Sequence, residues 1–167
     1  MQNLISGRIW KLGDNIDTDV IYPGKYLPII VAEEMALHAL EGYDPQFPKK
    51  IQKGDIIVAG KNFGCGSSRE QAATCLKTAG ITAIIAKSYS RIFFRNAVNQ
   101  GLPLLTSNLA DFVNQGDTIT IDFLQGKITH PQGEIQFPPL PDSVMDILRE
   151  GGLIPAVRKS LGLDKKN

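Results

Sequence analysis

Residues 54–71 decide the fold, and they read Gly-Asp-Ile-Ile-Val-Ala-Gly-Lys-Asn-Phe-Gly-Cys-Gly-Ser-Ser-Arg-Glu-Gln. The short apolar run between Gly54 and Gly60 predicts a buried strand. Two further glycines, Gly64 and Gly66, follow closely. Because glycine tolerates positive φ and lets the backbone approach another group, this loop is predicted to turn sharply and to lie against a ligand.

A helix is predicted to follow the glycine loop. Its apolar residues recur at helical spacing, as Ala72, Cys75, Leu76 and Ala79. Ser67 and Glu70 stand three residues apart, which is the spacing of a capping box, so Ser67 is the predicted N-cap. The predicted order is therefore strand, glycine loop and helix.

Two interpretations fit the residues where the loop meets the helix. In the first, Ser67 only caps the helix, and Ser68 and Arg69 only form a solvated first turn. In the second they bind an anion, because N–H groups at a helix N-terminus attract negative charge and Arg69 adds a bidentate cation. A cation in a first helical turn is mildly unfavourable, so Arg69 indicates an anionic partner nearby.

Two common phosphate-binding loops do not match this stretch. A Walker loop requires a lysine directly before the serine, and Gly66 precedes Ser67 instead. A dinucleotide-binding fingerprint requires a third glycine at the position of Arg69. An anion site here would therefore be of another kind.

The composition predicts one soluble globular domain over residues 1–167. Hydrophobic residues make up 43% of the chain and charged residues 21%, and the formal net charge is +1. A charge this small gives no support for binding to nucleic acid or to an acidic membrane surface. No apolar run approaches the ~18 residues of a membrane span, and residues 1–7 lack the features of a secretory signal. We expect a cytoplasmic protein.

The cysteines and histidines do not indicate a metal site. Cys65 and Cys75 lie ten residues apart, which matches no common ligand spacing. Cys75 belongs to the apolar helix stripe and is predicted to lie in the core, whereas Cys65 has a catalytic thiol as its alternative role. Neither His38 nor His130 has a sequence context that suggests a partner base, and both are predicted to be structural or exposed.

An acidic cluster and an irregular apolar segment precede the central stretch. Residues 14–19 hold three aspartates, and they lack the glycine and glutamate that an EF-hand loop requires. They predict either an Asx-rich turn or a site where Asp17 or Asp19 orients an arginine or a substrate hydroxyl. Residues 20–30 are apolar but contain two prolines, which is typical of a loop that covers a site.

The remaining pattern predicts an α/β fold with a partly parallel sheet and a C-terminal antiparallel hairpin. The predicted strands outside the central stretch are 7–12, 81–86, 102–105, 117–123 and 127–137. The other predicted helices are 32–40, 90–99, 107–114 with Ser107 as N-cap, and a last one through Leu148 with Asp142 or Ser143 as N-cap. Residues 42–50 are predicted to be a linker, and 160–167 a frayed tail.

Three segments together resemble the small-subunit family of 3-isopropylmalate dehydratase, the swivelling domain of the aconitase superfamily. They are Asp-Thr-Asp-Val-Ile-Tyr-Pro at 17–23, Asn-Phe-Gly-Cys-Gly-Ser-Ser-Arg-Glu-Gln-Ala at 62–72 and Ala-Lys-Ser-Tyr-Ser-Arg-Ile-Phe at 86–93. The resemblance covers nearly the whole chain. It implies a three-layer β/β/α swivelling domain, and a hydro-lyase of leucine biosynthesis that is active only with a large subunit carrying a 4Fe-4S cluster.

The resemblance also implies roles for individual residues. Ser67 matches the catalytic base, an alkoxide that removes the proton from the carbon next to a carboxylate. Ser68 and Arg69 match residues that bind a substrate carboxylate, and Asp19 matches an acidic residue near the active site. A helix N-terminus and Arg69 would supply the positive surroundings that an alkoxide needs.

The segment after Tyr26-Leu27 predicts the substrate. In the family, the corresponding residues contact the substituent that varies between substrates, and an arginine there serves a third carboxylate. Here Pro28, Ile29 and Ile30 follow, so a small alkyl group is favoured, by roughly 0.8 kcal/mol per buried CH₂. Isopropylmalate is the predicted substrate. Citramalate and dimethylmalate stay open, as does homocitrate if Lys25 reaches the site.

Two functions of other classes are the alternatives to an enzyme subunit. A non-catalytic module would use the same pocket only to bind a carboxylate, but the presence of both Ser67 and Arg69 favours the enzyme. An RNA-binding role finds little support in the net charge of +1.

Overall fold

The computed structural model describes residues 1–163. Its strands are β1 (Leu4–Lys11), β2 (Ile56–Ala59), β3 (Ala83–Ala86), β4 (Leu104–Thr106), β5 (Thr118–Asp122), β6 (Lys127–His130) and β7 (Gly133–Gln136). Its helices are α1 (Thr18–Ile21), α2 (Ala32–Ala36), α3 (Phe47–Lys50), α4 (Glu70–Ala79), α5 (Arg91–Asn99), α6 (Asp142–Arg149) and α7 (Leu153–Ser160). Single 3₁₀ turns lie at Gly24–Tyr26 and Leu109–Asp111.

One seven-stranded sheet joins the two halves of the chain in the order β4-β3-β2-β1-β5-β6-β7. Strands β1 to β4 run parallel, and β5 to β7 continue antiparallel from the other side of β1. Strand β1 serves both parts, because residues 9–11 pair with β2 while residues 4–8 pair with β5. The predicted parallel core and antiparallel hairpin are confirmed.

The sheet has an apolar layer on each face. On one face, Ile57 belongs to a cluster with Leu76 of α4. On the other, Ile56 belongs to a cluster with Ile121 of β5 and Ile128 of β6. Ile56 and Ile57 belong to different clusters because successive strand residues point to opposite faces of the sheet. Helix α4 covers one face, and the antiparallel strands curl over the other. This is the predicted three-layer β/β/α arrangement.

Asp55 is a buried carboxylate at the start of β2. It is 3% exposed and accepts hydrogen bonds from Arg8 Nη2 at 2.8 Å, Trp10 Nε1 at 2.7 Å and the N–H of Gln52 at 2.9 Å. Burial by itself raises the pKa of Asp55, but the donors of Arg8, Gln52 and Trp10 outweigh burial and lower that pKa below 3.8. The ionised carboxylate therefore stabilises the fold.

We expect Asp55→Asn to lower the free energy of unfolding by about 2 kcal/mol at pH 7, because an amide leaves part of this donor set unmatched. Since the folded-state pKa is lowered, the stabilisation is present above the ordinary pKa of 3.8 and is lost as the pH falls through the folded value. Urea unfolding at pH 7 and pH 3 measures both effects. The exposed Asp142→Asn is the control, and equal stability of the two variants at pH 7 would contradict the prediction.

Several predicted elements differ in extent from the observed ones. The predicted helix 32–40 ends at Ala36, because the N–H of Leu40 donates to the carbonyl of Ile21 at 2.8 Å and draws the chain out of the helical path. The predicted helix 107–114 is only a 3₁₀ turn with Asn108 as N-cap, since the N–H of Asn114 donates to Asp117 at 2.8 Å.

Three short helices were not predicted. They are α1, α3 within the predicted linker, and α7. The prediction that Asp142 or Ser143 caps the last helix is wrong, because α6 already begins at Asp142, with Pro141 as its N-cap and no side-chain cap. Strand β1 begins at Leu4, three residues earlier than predicted. The predicted frayed tail begins where α7 ends, and its residues 164–167 lie outside the described part of the chain. None of the helices in residues 1–163 has the length and hydrophobicity of a membrane span.

Candidate active site

Three loops meet where β1, β2 and β3 end. They comprise residues 12–22, 60–69 and 87–90, and they contain most of the three segments that carry the family resemblance. The carboxyl ends of neighbouring parallel strands share one edge of the sheet, which is where open α/β sheets bind ligands. The topology therefore assembles the three segments into one site.

Backbone hydrogen bonds hold the central loop between the other two. The N–H of Gly64 donates to the carbonyl of Ile16 at 2.8 Å, and the N–H of Phe63 donates to the carbonyl of Ser88 at 3.0 Å. The hydroxyl of Ser90 donates to the carbonyl of Gly64 at 3.0 Å. The central loop is therefore fixed from both sides before any ligand binds.

Gly64 and Gly66 are required for this path. Their φ angles are 79° and 96°, which side chains rarely adopt. A Cβ atom at Gly64 would overlap the ring of Phe93, and one at Gly66 would meet the carboxylate of Asp17. The loop therefore turns sharply, as predicted. Its backbone approaches the side chains of Phe93 and Asp17 closely.

Ser67 and Ser68 present their side chains to solvent. Both residues are exposed, and within residues 1–163 neither hydroxyl has a hydrogen-bond partner. The backbone of Ser67 is nevertheless held, because its carbonyl accepts from Thr18 Oγ1 at 2.9 Å and from the N–H of Arg69 at 3.0 Å. The two hydroxyls are available to a ligand on a fixed backbone.

The prediction that Ser67 caps the helix is wrong. Helix α4 begins at Glu70, Arg69 is its N-cap in an extended conformation, and no side chain caps it. The side chain of Arg69 is drawn towards Asp19 and Tyr22, and the helix begins only after this residue. The capping box with Glu70 is therefore not formed, and Ser67 lies two residues before the cap.

Arg69 is anchored by the loop that follows β1. Its Nη1 donates to Asp19 Oδ1 at 2.5 Å and to the carbonyl of Tyr22 at 3.0 Å. The hydrogen bond from Arg69 and the one from the N–H of Gly24 lower the pKa of Asp19. Asp19 is thus the anionic partner that the sequence predicted for Arg69. Both hydrogen bonds of Arg69 to the described residues 1–163 use Nη1, so its Nε and Nη2 have no hydrogen-bond partner among these residues.

The other aspartates of the acidic cluster accept hydrogen bonds from backbone N–H groups. Asp17 accepts from the N–H of Asp19 at 2.6 Å as the N-cap of α1, and Asp14 accepts from the N–H of Lys61 at 2.7 Å. Asp17 therefore forms an Asx turn, and Asp19 orients an arginine, which are the two roles predicted for the cluster. Within residues 1–163 no group of three His, Cys, Asp or Glu side chains is placed to hold a metal ion.

Residues 20–30 form the covering segment, and its three predicted substrate residues differ in their exposure to solvent. Ile30 is 88% exposed and Pro28 is also exposed, whereas Ile29 packs against the main core cluster. The ammonium group of Lys25 lies over the ring of Tyr26, 5.1 Å from its centroid. The outward face of this segment is thus apolar, and the nearby cation is directed to an aromatic ring.

The cysteines do not form a reactive or cluster-binding set. Cys75 is buried in the core as predicted, and burial raises the pKa of its thiol well above the ordinary value. Cys65 is half-buried, and its carbonyl accepts from the N–H of Thr18 at 2.8 Å. Iron–sulfur clusters are held by several thiolates on one side of a cavity, so these two residues do not fit such a group.

Three contributors to the site escaped the sequence interpretation. Thr18 fixes the carbonyl of Ser67, Tyr22 supplies the carbonyl that holds Arg69, and the N–H of Gly24 donates to Asp19 at 2.9 Å. Thr18 and Tyr22 belong to the first resemblance segment, which was the only signal for them. Two of these contacts use backbone atoms, which residue identity does not reveal.

The fold is that of the aconitase superfamily. The chain belongs to the family described as aconitase C-terminal domain, which matches residues 14–109. It is 50% identical to the 3-isopropylmalate dehydratase small subunit of Lachnospira eligens, over 98% of this chain and 100% of that one. It is 47% identical to the methanogen homoaconitase small subunit of Methanothermobacter thermautotrophicus, over 96% and 95%. A crystal structure of 3-isopropylmalate dehydratase from Methanocaldococcus jannaschii superposes with a TM-score of 0.91, at 44% identity and 96% coverage of each chain.

Proposed function

We propose that this chain is the small subunit of a 3-isopropylmalate dehydratase, a hydro-lyase that interconverts 2- and 3-isopropylmalate by dehydration and rehydration in leucine biosynthesis. The observation that carries the proposal is a pair of exposed hydroxyls, those of Ser67 and Ser68, directly before the anchored guanidinium of Arg69. Neither hydroxyl has a hydrogen-bond partner in the described part of the chain. The family and the names of the relatives support it.

The proposal requires a large subunit, as the relatives' designation as small subunits suggests. We assign the 4Fe-4S cluster to that subunit, because the two cysteines of this chain do not fit one. Departure of the substrate hydroxyl is likewise assigned to the large subunit. The cytoplasm is the proposed location.

In this chain, Ser67 acts as the base and Ser68 and Arg69 hold a carboxylate. The fork of Arg69 binds the carboxylate, and that contact fixes the adjacent C–H bond of the substrate. The alkoxide of Ser67 takes the proton from that carbon. Positive charge from Arg69 and from the start of α4 stabilises both the alkoxide and the charge that develops on the carboxylate.

We call residues 27–31 the tip of the covering segment. Its exposed residues Pro28 and Ile30 are proposed to contact the alkyl substituent. A carboxylate facing these side chains would lose water without gaining a partner, whereas an isopropyl group would gain from burial. The position of Lys25 over Tyr26 supports this choice. Citramalate and dimethylmalate carry smaller alkyl groups and are the first alternatives. Homocitrate is the next, since one relative is named a homoaconitase subunit.

The test is a reconstitution of this chain with the large subunit of the same organism and an anaerobically restored cluster. Initial rates are compared for isopropylmalate, citramalate, dimethylmalate and homocitrate. We expect the highest kcat/KM with isopropylmalate. Preference for homocitrate would contradict the apolar role of the loop tip, and binding of these acids without turnover would identify a non-catalytic module.

We expect Ile30→Arg to lower kcat/KM for isopropylmalate by about tenfold, because the isopropyl group loses its apolar contact with Ile30. The same variant should raise kcat/KM for homocitrate, because the new guanidinium pairs with the third carboxylate of that substrate. Leu37→Arg is the matched control, since Leu37 is also apolar and 67% exposed but lies beyond α2. An identical substrate profile for the two variants would remove Ile30 from the substrate site.

A further inference from the structure

Hydrogen bonds at Tyr26 attach the covering segment, which contains Ile30, to neighbouring residues of the protein. The hydroxyl of Tyr26 donates to Glu41 Oε1 at 2.5 Å, and its carbonyl accepts from the hydroxyl of Tyr22 at 2.7 Å. The hydrogen bond to Glu41 raises the pKa of Tyr26, so the phenol remains a donor. Tyr26 is thus held through both its side chain and its backbone, four residues before Ile30.

His38 completes this arrangement from the turn after α2. Its Nδ1 lies 2.6 Å from Glu41 Oε2, and its ring stacks on the ring of Tyr26 with centroids 3.6 Å apart and planes 15° apart. The single carboxylate of Glu41 therefore joins two stacked rings, one from the covering segment and one from the turn. We call Tyr26, His38 and Glu41 the loop anchor.

Beyond the loop anchor, the tip of the segment has few constraints. Residues 27–31 form no helix or strand, and Ile29 is the one tip residue that packs against the main core cluster. The N–H of Leu27 donates to Gly24 at 3.1 Å and the N–H of Ile29 donates to Tyr26 at 3.0 Å, while the carbonyl of Val31 accepts from two N–H groups of α2 at 3.1 and 3.0 Å. The conformation of the tip therefore depends on where Tyr26 is held at one end and on the start of α2 at the other.

We propose that the loop anchor positions the tip for the alkyl substituent, and that it thereby sets substrate affinity and selectivity rather than the rate of the chemical step. This inference rests on the proposed function. The three side chains do not contact the reacting atoms, and they act through Ile30 as positioning residues. A tip held in its bound conformation loses less freedom when substrate binds.

Tyr26→Phe tests the proposal, because it keeps the stacked ring and removes only the hydroxyl. In the reconstituted complex we expect KM for isopropylmalate to rise about tenfold with kcat changed less than about twofold, and selectivity over citramalate to fall. Tyr43→Phe is the matched control, since Tyr43 is 48% exposed and its hydroxyl has no hydrogen-bond partner within residues 1–163. The double variant with Ile30→Ala should show less than the sum of the two single effects on binding.

Amide hydrogen exchange of the wild-type and variant chains separates the loop anchor from the enzymatic assignment. We expect Leu27 and Ile29 to exchange several-fold faster in Tyr26→Phe than in wild type, and equally fast in Tyr43→Phe and wild type. Unchanged exchange, or a fall in kcat with KM unchanged, would overturn the proposal. Faster exchange in a complex that turns over no alkylmalate would instead refute the proposed function and leave the anchor in place.

Discussion

Ser67→Ala is expected to lower kcat of the assembled complex by about three orders of magnitude, because the reaction loses the proposed base. Assembly and stability should be unchanged. The hydroxyl is exposed and bonds to no other group within residues 1–163, while the contacts of Ser67 with Thr18 and Arg69 use its carbonyl and persist in alanine.

The measurement is steady-state kinetics of the purified complex, with size-exclusion chromatography to show that it has assembled. Ser143→Ala is the control, because Ser143 is an exposed serine on α6, far along the chain from the site. A Ser67→Ala complex that retains more than about a tenth of wild-type kcat would rule out this serine as the base.

Arg69→Lys is expected to lower kcat/KM by about 10²- to 10³-fold, although it preserves the charge. The guanidinium uses Nη1 for Asp19 and Tyr22, and in the proposed site its other edge binds the substrate carboxylate. An ammonium group has a single donor centre, so it pairs with Asp19 or with the substrate but does not reproduce both edges at once.

Here the loss should appear in KM as well as kcat, because the carboxylate is bound before and during proton removal. Arg158→Lys, an exposed arginine on α7, is the control. Normal KM in Arg69→Lys would show that the carboxylate is bound elsewhere. The double variant with Asp19→Ala distinguishes the anchoring of Arg69 from its contact with substrate, since a residue that acts only as an anchor adds little once Arg69 is replaced.

The parts of the fold that depend on local pattern were predictable from sequence. The apolar runs of β2 and β3, and the glycines between β2 and α4, predicted both buried strands and the sharp loop between them. The start of α4 was not predictable in the same way. It is decided by the pairing of Arg69 with Asp19, fifty residues earlier, and such a contact leaves no trace in the local spacing.

The same distinction holds for the site. The types of residue at positions 67–69 predicted an anion site with hydroxyl groups, and the structure places those hydroxyls in the open. The loop anchor was not predicted, because His38 and Glu41 are unremarkable on a helix end until Tyr26 packs against them. Helix α7 was missed because Gly151 and Gly152 precede it, and a glycine pair usually indicates a break.

The dual pairing of β1 has a consequence for synthesis on the ribosome. Residues 9–11 find their partners in β2 as soon as that strand has emerged, but residues 4–8 pair with β5, which is made more than twice as far along the chain. Until then the face that β5 and β6 will cover keeps Ile9, Ile56 and Val58 open to water. The nascent chain therefore carries an exposed sheet edge and an exposed apolar face through most of its translation, and both are surfaces that holdase chaperones bind.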